Sequence, residues 1–217
     1  MSSSSTLRKT HKNMRIFNDD AMIHEVKLYN AILKLKDQLE IEYPSVEFEW
    51  KQKIYKTEIA EKLKIGGTYK PQSNSFVKPD GGVLFMNFNN KKYPILISEA
   101  KKQGTNVYRI NEGLKKQAKG NAIERAFKNI EEFKLYCNDI EYFPYVIFAY
   151  GCDFQEGSSI LDRLDAMTKY HPRNVNYTLH KDQKTTIFVR DQYFTFGEIY
   201  DILYDITIKI IKNIVEE

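Results

Sequence analysis

The chain has 217 residues, 42% of them apolar and 13% aromatic, which suits one folded domain with a sizeable core and excludes a disordered polymer. No apolar run approaches the roughly 18 residues of a membrane helix, and the Ser-rich start, Met1 to Lys9, lacks the apolar stretch of a secretory signal. The formal net charge of +4 is compatible with a nucleic-acid partner and diagnostic of none, and the two cysteines, Cys137 and Cys152, have no CxxC or metal spacing and suit reduced thiols of a cytoplasmic protein.

Residues 1–15 are Ser-rich, then basic through Arg8, Lys9, Lys12 and Arg15, and read as a flexible arm ahead of a single domain over 16–217. A disordered tail and an arm touching phosphates both fit. A helix is expected over 19–39, starting near Asn18 or Asp19, with Met22, Val26, Tyr29, Ile32 and Leu33 as its apolar stripe. A second helix is expected over Lys56–Lys64 and a loop over 65–78. Strands follow near 82–88 and 93–99, joined at Asn89-Asn90-Lys91, which is favourable turn chemistry. After a polar loop come a helix at 121–137, a buried strand at 143–150 and a short helix near 158–169. A strand at 185–190 and a closing helix at about 197–214 complete the pattern, the latter with Ile199, Ile202, Leu203, Ile206 and Ile210 at helical spacing. Strands interleaved with helices indicate an α/β sandwich, a mixed central sheet flanked by helices.

The densest chemistry lies between Lys78 and Lys101. Asp80 sits between Pro79 and Gly81-Gly82, on a tight turn leading into a strand. The apolar run from Tyr93 to Ser98 then ends in Glu99-Ala100-Lys101. Residues two apart on a strand share a face, so Glu99 and Lys101 project together. Two carboxylates can hold a hard cation, and an adjacent lysine can steer a water at a phosphate. The same spacing also suits a surface hairpin with a solvated ion pair.

A second stretch runs through Gly120-Asn121-Ala122-Ile123-Glu124-Arg125. Asn121 suits an N-cap, with Glu124 three residues later as in a capping box, and Ile123, Phe127 and Ile130 form a core stripe. Asn pairs bidentately with adenine and Arg with guanine, and a helix N-terminus attracts phosphate. An ordinary capped amphipathic helix has the same pattern.

Seven blocks, in order from about residue 44 to 170, resemble the EcoRI-like type II restriction endonucleases of the PD-(D/E)XK nuclease superfamily. They are Lys56 to Ile59, Gly66-Gly67-Thr68, Lys78 to Gly82, Glu99-Ala100-Lys101-x-Gln103-Gly104, Gly120 to Arg125, Phe143-Pro144-Tyr145-Val146 and Ile160-Leu161-x-Arg163-Leu164-Asp165. The resemblance implies a restriction-endonuclease-like sandwich and a cytoplasmic homodimer. It would cut double-stranded DNA in a Mg²⁺-dependent hydrolysis at a palindrome with an AATT core. A cognate DNA methyltransferase would be present in the same cell without forming a stable complex.

By the same resemblance Asp80, Glu99 and Lys101 are the catalytic trio, with Asp80, Glu99 and the carbonyl of Ala100 on the metal. The segment with Ala118, Lys119, Gly120, Asn121, Ala122, Glu124 and Arg125 corresponds to the DNA-reading element. There Asn121 and Arg125 contact adenines, Ala122 adds a main-chain contact and Glu124 buttresses them. Lys78, Gln103 and Arg163 are candidate phosphate or positioning contacts. Lys119 stands where one family member has alanine and a member reading CAATTG has arginine, so the outer pair is open between CAATTG, which the basic side chain favours, and GAATTC. The segment between Gly151 and Ile160 is shorter than the family pattern, and Ala166 replaces an arginine. Two other functions use the same scaffold: a non-cleaving sequence-specific DNA-binding protein, and a repair or recombination nuclease.

Overall fold

No glycine or proline occurs before Pro44, and the chain begins with one long helix, α1 (Ser3–Glu42). The computed structural model describes residues 3–64, 71–102, 111–113, 121–151, 186–190 and 192–216, and for 3–21 and 121–127 the backbone alone. The helix thus runs back well beyond the Asn18–Asp19 start expected from sequence, because nothing in that stretch breaks it. Its buried stripe is also rotated from the expected one. His24, Leu28, Ala31, Ile32, Leu35 and Leu39 face the core, while Met22 and Val26 are exposed. A histidine at the head of the buried stripe hides its phase from the apolar pattern alone.

The remaining elements are β1 (Glu47–Lys51), β2 (Ile54–Tyr55), α2 (Lys56–Lys62), β3 (Phe76–Val77), β4 (Gly82–Phe88), β5 (Lys91–Lys102), α3 (Asn121–Tyr136), β6 (Tyr145–Tyr150), β7 (Thr186–Arg190) and α4 (Phe196–Glu216). The central sheet has the order β1-β4-β5-β6-β7 and is mixed as expected: β1, β4 and β5 run antiparallel, and β6 and β7 join β5 in parallel. Strands β2 and β3 form a separate two-stranded sheet. Strand β1 went unrecognised in the sequence, although Glu47-Phe48-Glu49-Trp50-Lys51 alternates; three charges and five residues make a weak signal. The expected helix near 158–169 lies outside the described residues.

The β4–β5 hairpin closes through Asn89 and Asn90, both at positive φ (51° and 61°), the conformation a tight hairpin turn of this kind demands. Further along, Leu84 faces Leu96 but Phe85 faces Pro94, so β5 carries an extra residue beside a proline that cannot donate to the ladder. Helices α1 and α4 pack on one another and on one face of the sheet. The α4 stripe is Ile199, Leu203, Ile206, Ile210 and Ile214, with Ile202 at its edge. Its start is capped by Thr195, whose N–H donates to Glu198, and Arg190 clamps Glu198 through both carboxylate oxygens at 2.8 Å. Helix α3 packs against β5 from the other face, placing Ile130 and Phe133 in the core. Among the described residues no helix is long and apolar enough to cross a membrane.

His24 joins α1 to β6. It is 3% exposed, its Nε2 lies 3.3 Å from the Phe148 carbonyl oxygen, and its ring stands edge-on to Tyr150. Burial lowers its pKa from 6.5 to about 4, outweighing the Phe148 carbonyl, which raises it; the Lys27 and Lys101 charges also lower it and Asp80 raises it. A base whose folded pKa is depressed binds its proton only in the unfolded chain between the two values. Its burial therefore costs stability as pH falls from about 6.5 to about 4 and costs nothing above that window. Between pH 7 and pH 5 wild type should lose about 2 kcal/mol more than His24→Met in urea unfolding. Equal losses in the two proteins would show that His24 titrates normally.

Candidate active site

The site is assembled at the carboxyl-terminal part of β5, where a turn, two strands and a helix meet. The turn is Pro79 to Gly82. Gly82 N–H donates to the Pro79 carbonyl and Gly81 N–H to the Ser98 carbonyl, both at 3.0 Å, while the Trp50 indole N–H donates to the Gly81 carbonyl at 2.9 Å. The fit excludes side chains. A Cβ on Gly81 would lie 2.1 Å from Ser98 Oγ, and one on Gly82, at φ +77°, would lie 2.6 Å from the Lys51 carbonyl oxygen. Asp80 is thereby aimed at β5, and its Oδ2 accepts from Ala100 N–H at 3.0 Å.

Glu99 and Lys101 leave β5 on one face, as their spacing predicts, and meet Asp80 there. Lys101 Nζ lies 2.7 Å from Asp80 Oδ2, 2.5 Å from Glu99 Oε1 and 3.1 Å from the Ala100 carbonyl oxygen. Glu99 itself is 2% exposed. Its Oε2 accepts from the Tyr145 hydroxyl at 2.9 Å, and the Asn129 amide nitrogen donates to Oε1 at 3.1 Å, with Oε2 at 3.4 Å. Tyr145 opens β6 and Asn129 lies in the middle of α3.

The charges are strongly perturbed. Burial pushes the Glu99 carboxyl above its ordinary range, and the Lys101 ammonium pulls it back without cancelling the effect. Burial alone would lower Lys101, but Glu99 and Asp80 outweigh it and hold the lysine protonated above its usual value. Burial, then the charge of Glu99, keeps the Tyr145 phenol protonated and so a donor. Glu25 on α1 adds a further carboxylate, raised by partial burial and then by the charge of Asp80.

Two carboxylates and one main-chain carbonyl thus converge on a single cationic point, the Lys101 ammonium. That donor set, all oxygen and mostly anionic, suits a hard divalent cation. Such a cation and the lysine compete for the same oxygens.

Asp80, Glu99, Ala100 and Lys101 are therefore brought together, and Lys78 is exposed at the entry to the turn. The first turn of α3 begins at Asn121 as expected, and the backbone of Asn121, Ala122, Glu124 and Arg125 lies on it. Gln103, Ala118, Lys119, Gly120, Arg163 and Ala166 lie outside the described residues. The sequence reading missed Asn129, Tyr145 and Glu25. Asn129 carried one signal, since asparagine is a poor residue for the interior of a helix; Tyr145 stood in a recognised block without a role.

Residues 10–178 match the model of the restriction endonuclease EcoRI family. The chain is 32% identical over 239 aligned positions to the type II restriction enzyme EcoRI of Escherichia coli, covering 88% of this chain and 86% of that protein. It is 31% identical over 166 positions to the type II restriction enzyme RsrI of Cereibacter sphaeroides, covering 70% of this chain and 60% of that protein.

The turn holding Asp80 should tolerate no added methyl. Gly82→Ala combines positive φ with a collision with main chain and should cost about 2 kcal/mol in urea unfolding. Gly197→Ala, with nothing within 4 Å, should be neutral or stabilising. Equal effects at the two positions would remove the argument that the turn is close-fitted.

Proposed function

Because this chain belongs to the EcoRI restriction endonuclease family and is a site-specific deoxyribonuclease, we propose that it cuts double-stranded DNA as a Mg²⁺-dependent homodimer at a palindrome with an AATT core. Type II restriction endonucleases of this family are metal-dependent nucleases. The observation that carries the proposal is the convergence of Asp80, Glu99 and the Ala100 carbonyl on one cationic point. A homodimer follows from symmetry, since a palindrome presents two identical half-sites. The protein works in the cytoplasm, beside a methyltransferase that protects the same sequence without binding this chain stably.

In this reading Asp80, Glu99 and the Ala100 carbonyl hold the metal. When bound, Mg²⁺ neutralises charge developing on the phosphoryl oxygens and makes bound water more acidic. Lys101 donates to the attacking water or to a phosphate oxygen, stabilising charge that grows in the transition state. Water's oxygen adds to phosphorus and gives up a proton to solvent, the bond to O3′ breaks, O3′ takes up a proton from solvent to become a hydroxyl, and the product keeps a 5′-phosphate. Asn121 and Arg125 read adenines, supported by the Ala122 main chain and by Glu124. Ala118, Lys119 and Gly120 belong to the DNA-reading segment, and Lys78, Gln103 and Arg163 are phosphate or positioning contacts. The start of α3 at Asn121 supports this arrangement, because a helix N-terminus attracts phosphate.

Incubation of a sequenced plasmid with Mg²⁺ and with EDTA, followed by sequencing of the ends, tests the whole proposal. Cutting at one palindrome in Mg²⁺ alone is expected. Binding without cutting would make the protein a non-cleaving reader, and cutting without sequence preference a repair-type nuclease. Asp80→Ala and Glu99→Ala should abolish cutting and keep specific binding in gel shift; continued Mg²⁺-dependent cutting by Asp80→Ala would sink its metal role. Lys101→Ala should fold normally and lose most of its rate.

Specificity is tested separately. Each good bidentate base contact contributes roughly 1–3 kcal/mol of discrimination, so Asn121→Ala or Arg125→Ala should collapse the gap between AATT-centred and scrambled duplexes. A uniform loss on every sequence would make them phosphate contacts. Lys119 can donate to the two guanine acceptors but cannot accept from cytosine N4, which favours CAATTG over GAATTC. Rates on duplexes with all four outer pairs should change order between wild type and Lys119→Ala; an identical ranking would rule Lys119 out as a base reader.

A further inference from the structure

Asn129 stands two turns into α3, the helix whose first turn carries the proposed base readers. Eight residues separate it from Asn121, a rise of about 12 Å along the axis. Yet its amide ends on the opposite function: Nδ2 lies 3.1 Å from Oε1 and 3.4 Å from Oε2 of Glu99. Tyr145 reaches the same carboxylate from β6, donating to Oε2 at 2.9 Å, and the Asn129 amide also interacts with the Tyr145 hydroxyl. The three side chains close a triangle around a carboxylate that is 2% exposed. Asn129 is itself half-buried, and asparagine costs helix propensity at this mid-helix position, so its presence points to a role beyond the fold of the helix.

We infer that Asn129 and Tyr145 are positioning residues for the metal carboxylate Glu99, and that Asn129 ties the seating of the recognition helix to the metal site. This rests on the metal-site reading above. Of the two Glu99 oxygens, Oε1 is shared between Lys101 and Asn129, and Oε2 is held by Tyr145. Fixing the plane of the carboxylate presents it to a cation in one orientation, which is how hydrogen bonds behind a ligand raise metal affinity. Tyr145 sits on the sheet and acts the same way whatever DNA is bound. Asn129 moves with α3. When the first turn of α3 meets a wrong base pair and seats poorly, the amide withdraws from Glu99, and the metal ligand loosens before any bond is cut. Part of the discrimination between sites then appears in the cutting step rather than in binding.

The test compares wild type, Asn129→Ala and Tyr145→Phe on a duplex carrying the site that wild type cuts and on one changed at a single base pair. Both variants should stay folded and bind the duplex in EDTA as wild type does, with melting lowered because each loses a hydrogen bond to the buried Glu99. In single-turnover cleavage at limiting Mg²⁺ both should lose roughly 10–100-fold, with the Mg²⁺ midpoint raised by a similar factor. Calorimetric titration of Mg²⁺ into duplex complexes of Lys101→Ala, with and without Asn129→Ala, should show the same weakening without relying on turnover. The cleavage ratio between right and altered sites should shrink in Asn129→Ala and stay unchanged in Tyr145→Phe.

An unchanged Mg²⁺ midpoint in both variants overturns the positioning role. Loss of metal-free duplex affinity by Asn129→Ala, with unchanged cutting of the bound complex, makes Asn129 a phosphate contact instead. Equal site ratios in the two variants overturn the coupling. Tyr145→Phe removes a single oxygen atom, so it carries the test of positioning even if Asn129→Ala folds poorly. A wild type that fails to cut in Mg²⁺ overturns the endonuclease reading itself, a result distinct from all of these.

Discussion

A carboxylate with almost no access to water must find its solvation inside the protein, and Glu99 imposes that demand on everything around it. Leaving such a charge unpartnered costs several kcal/mol. Here three elements answer. Strand β5 returns Lys101 two residues later, β6 presents the Tyr145 hydroxyl, and α3 brings the Asn129 amide. The sheet register between Ile97 and Tyr145 and the docking of α3 on β5 are therefore chemical as well as steric requirements.

Asp80 arrives by a different route. Its position depends on backbone geometry, on glycines that let the chain pass within contact distance of Ser98 and Lys51, and on an indole that holds the Gly81 carbonyl. The indole belongs to β1, an edge strand, and Trp50 lies 31 residues before the Gly81 carbonyl it holds. The two carboxylates are thus fixed by independent devices, one in the core and one at the sheet's rim. Lys101 bridges them and neutralises part of their repulsion. Under the proposed function a divalent cation would take over that task and free the lysine to act on water or phosphate.

The mixed sheet places this chemistry. Strands β5, β6 and β7 run parallel and end together, and α3 enters on the face that bears Glu99 and Lys101. The opposite face is closed by α1 and α4, with His24 and the aromatic residues Tyr150 and Phe194 packed between. Both faces are packed, and the cluster of Asp80, Glu99 and Lys101 lies on the α3 side, at the carboxyl-terminal part of β5. The family relationship, covering most of the chain, agrees with that arrangement.

Local chemistry was legible in the sequence. Asn89-Asn90 specified its turn, the apolar run before Glu99 specified a buried strand, and the two-residue spacing of Glu99 and Lys101 specified a shared face, because each depends on neighbours within a few residues. The start of α3 at Asn121 was legible for the same reason. Long-range placement was not. The buried stripe of α1 runs through His24 rather than Met22 and Val26, since only packing against α4 and the sheet decides which side of a weakly amphipathic helix turns inward. Strand β1 showed alternation too short to stand out, and Trp50 acquires its role only where β1 lies beside β4. Asn129 and Tyr145 had no motif of their own: they are 30 and 46 residues from Glu99, and hydrogen bonds across such separations exist only once sheet and helix have been brought together.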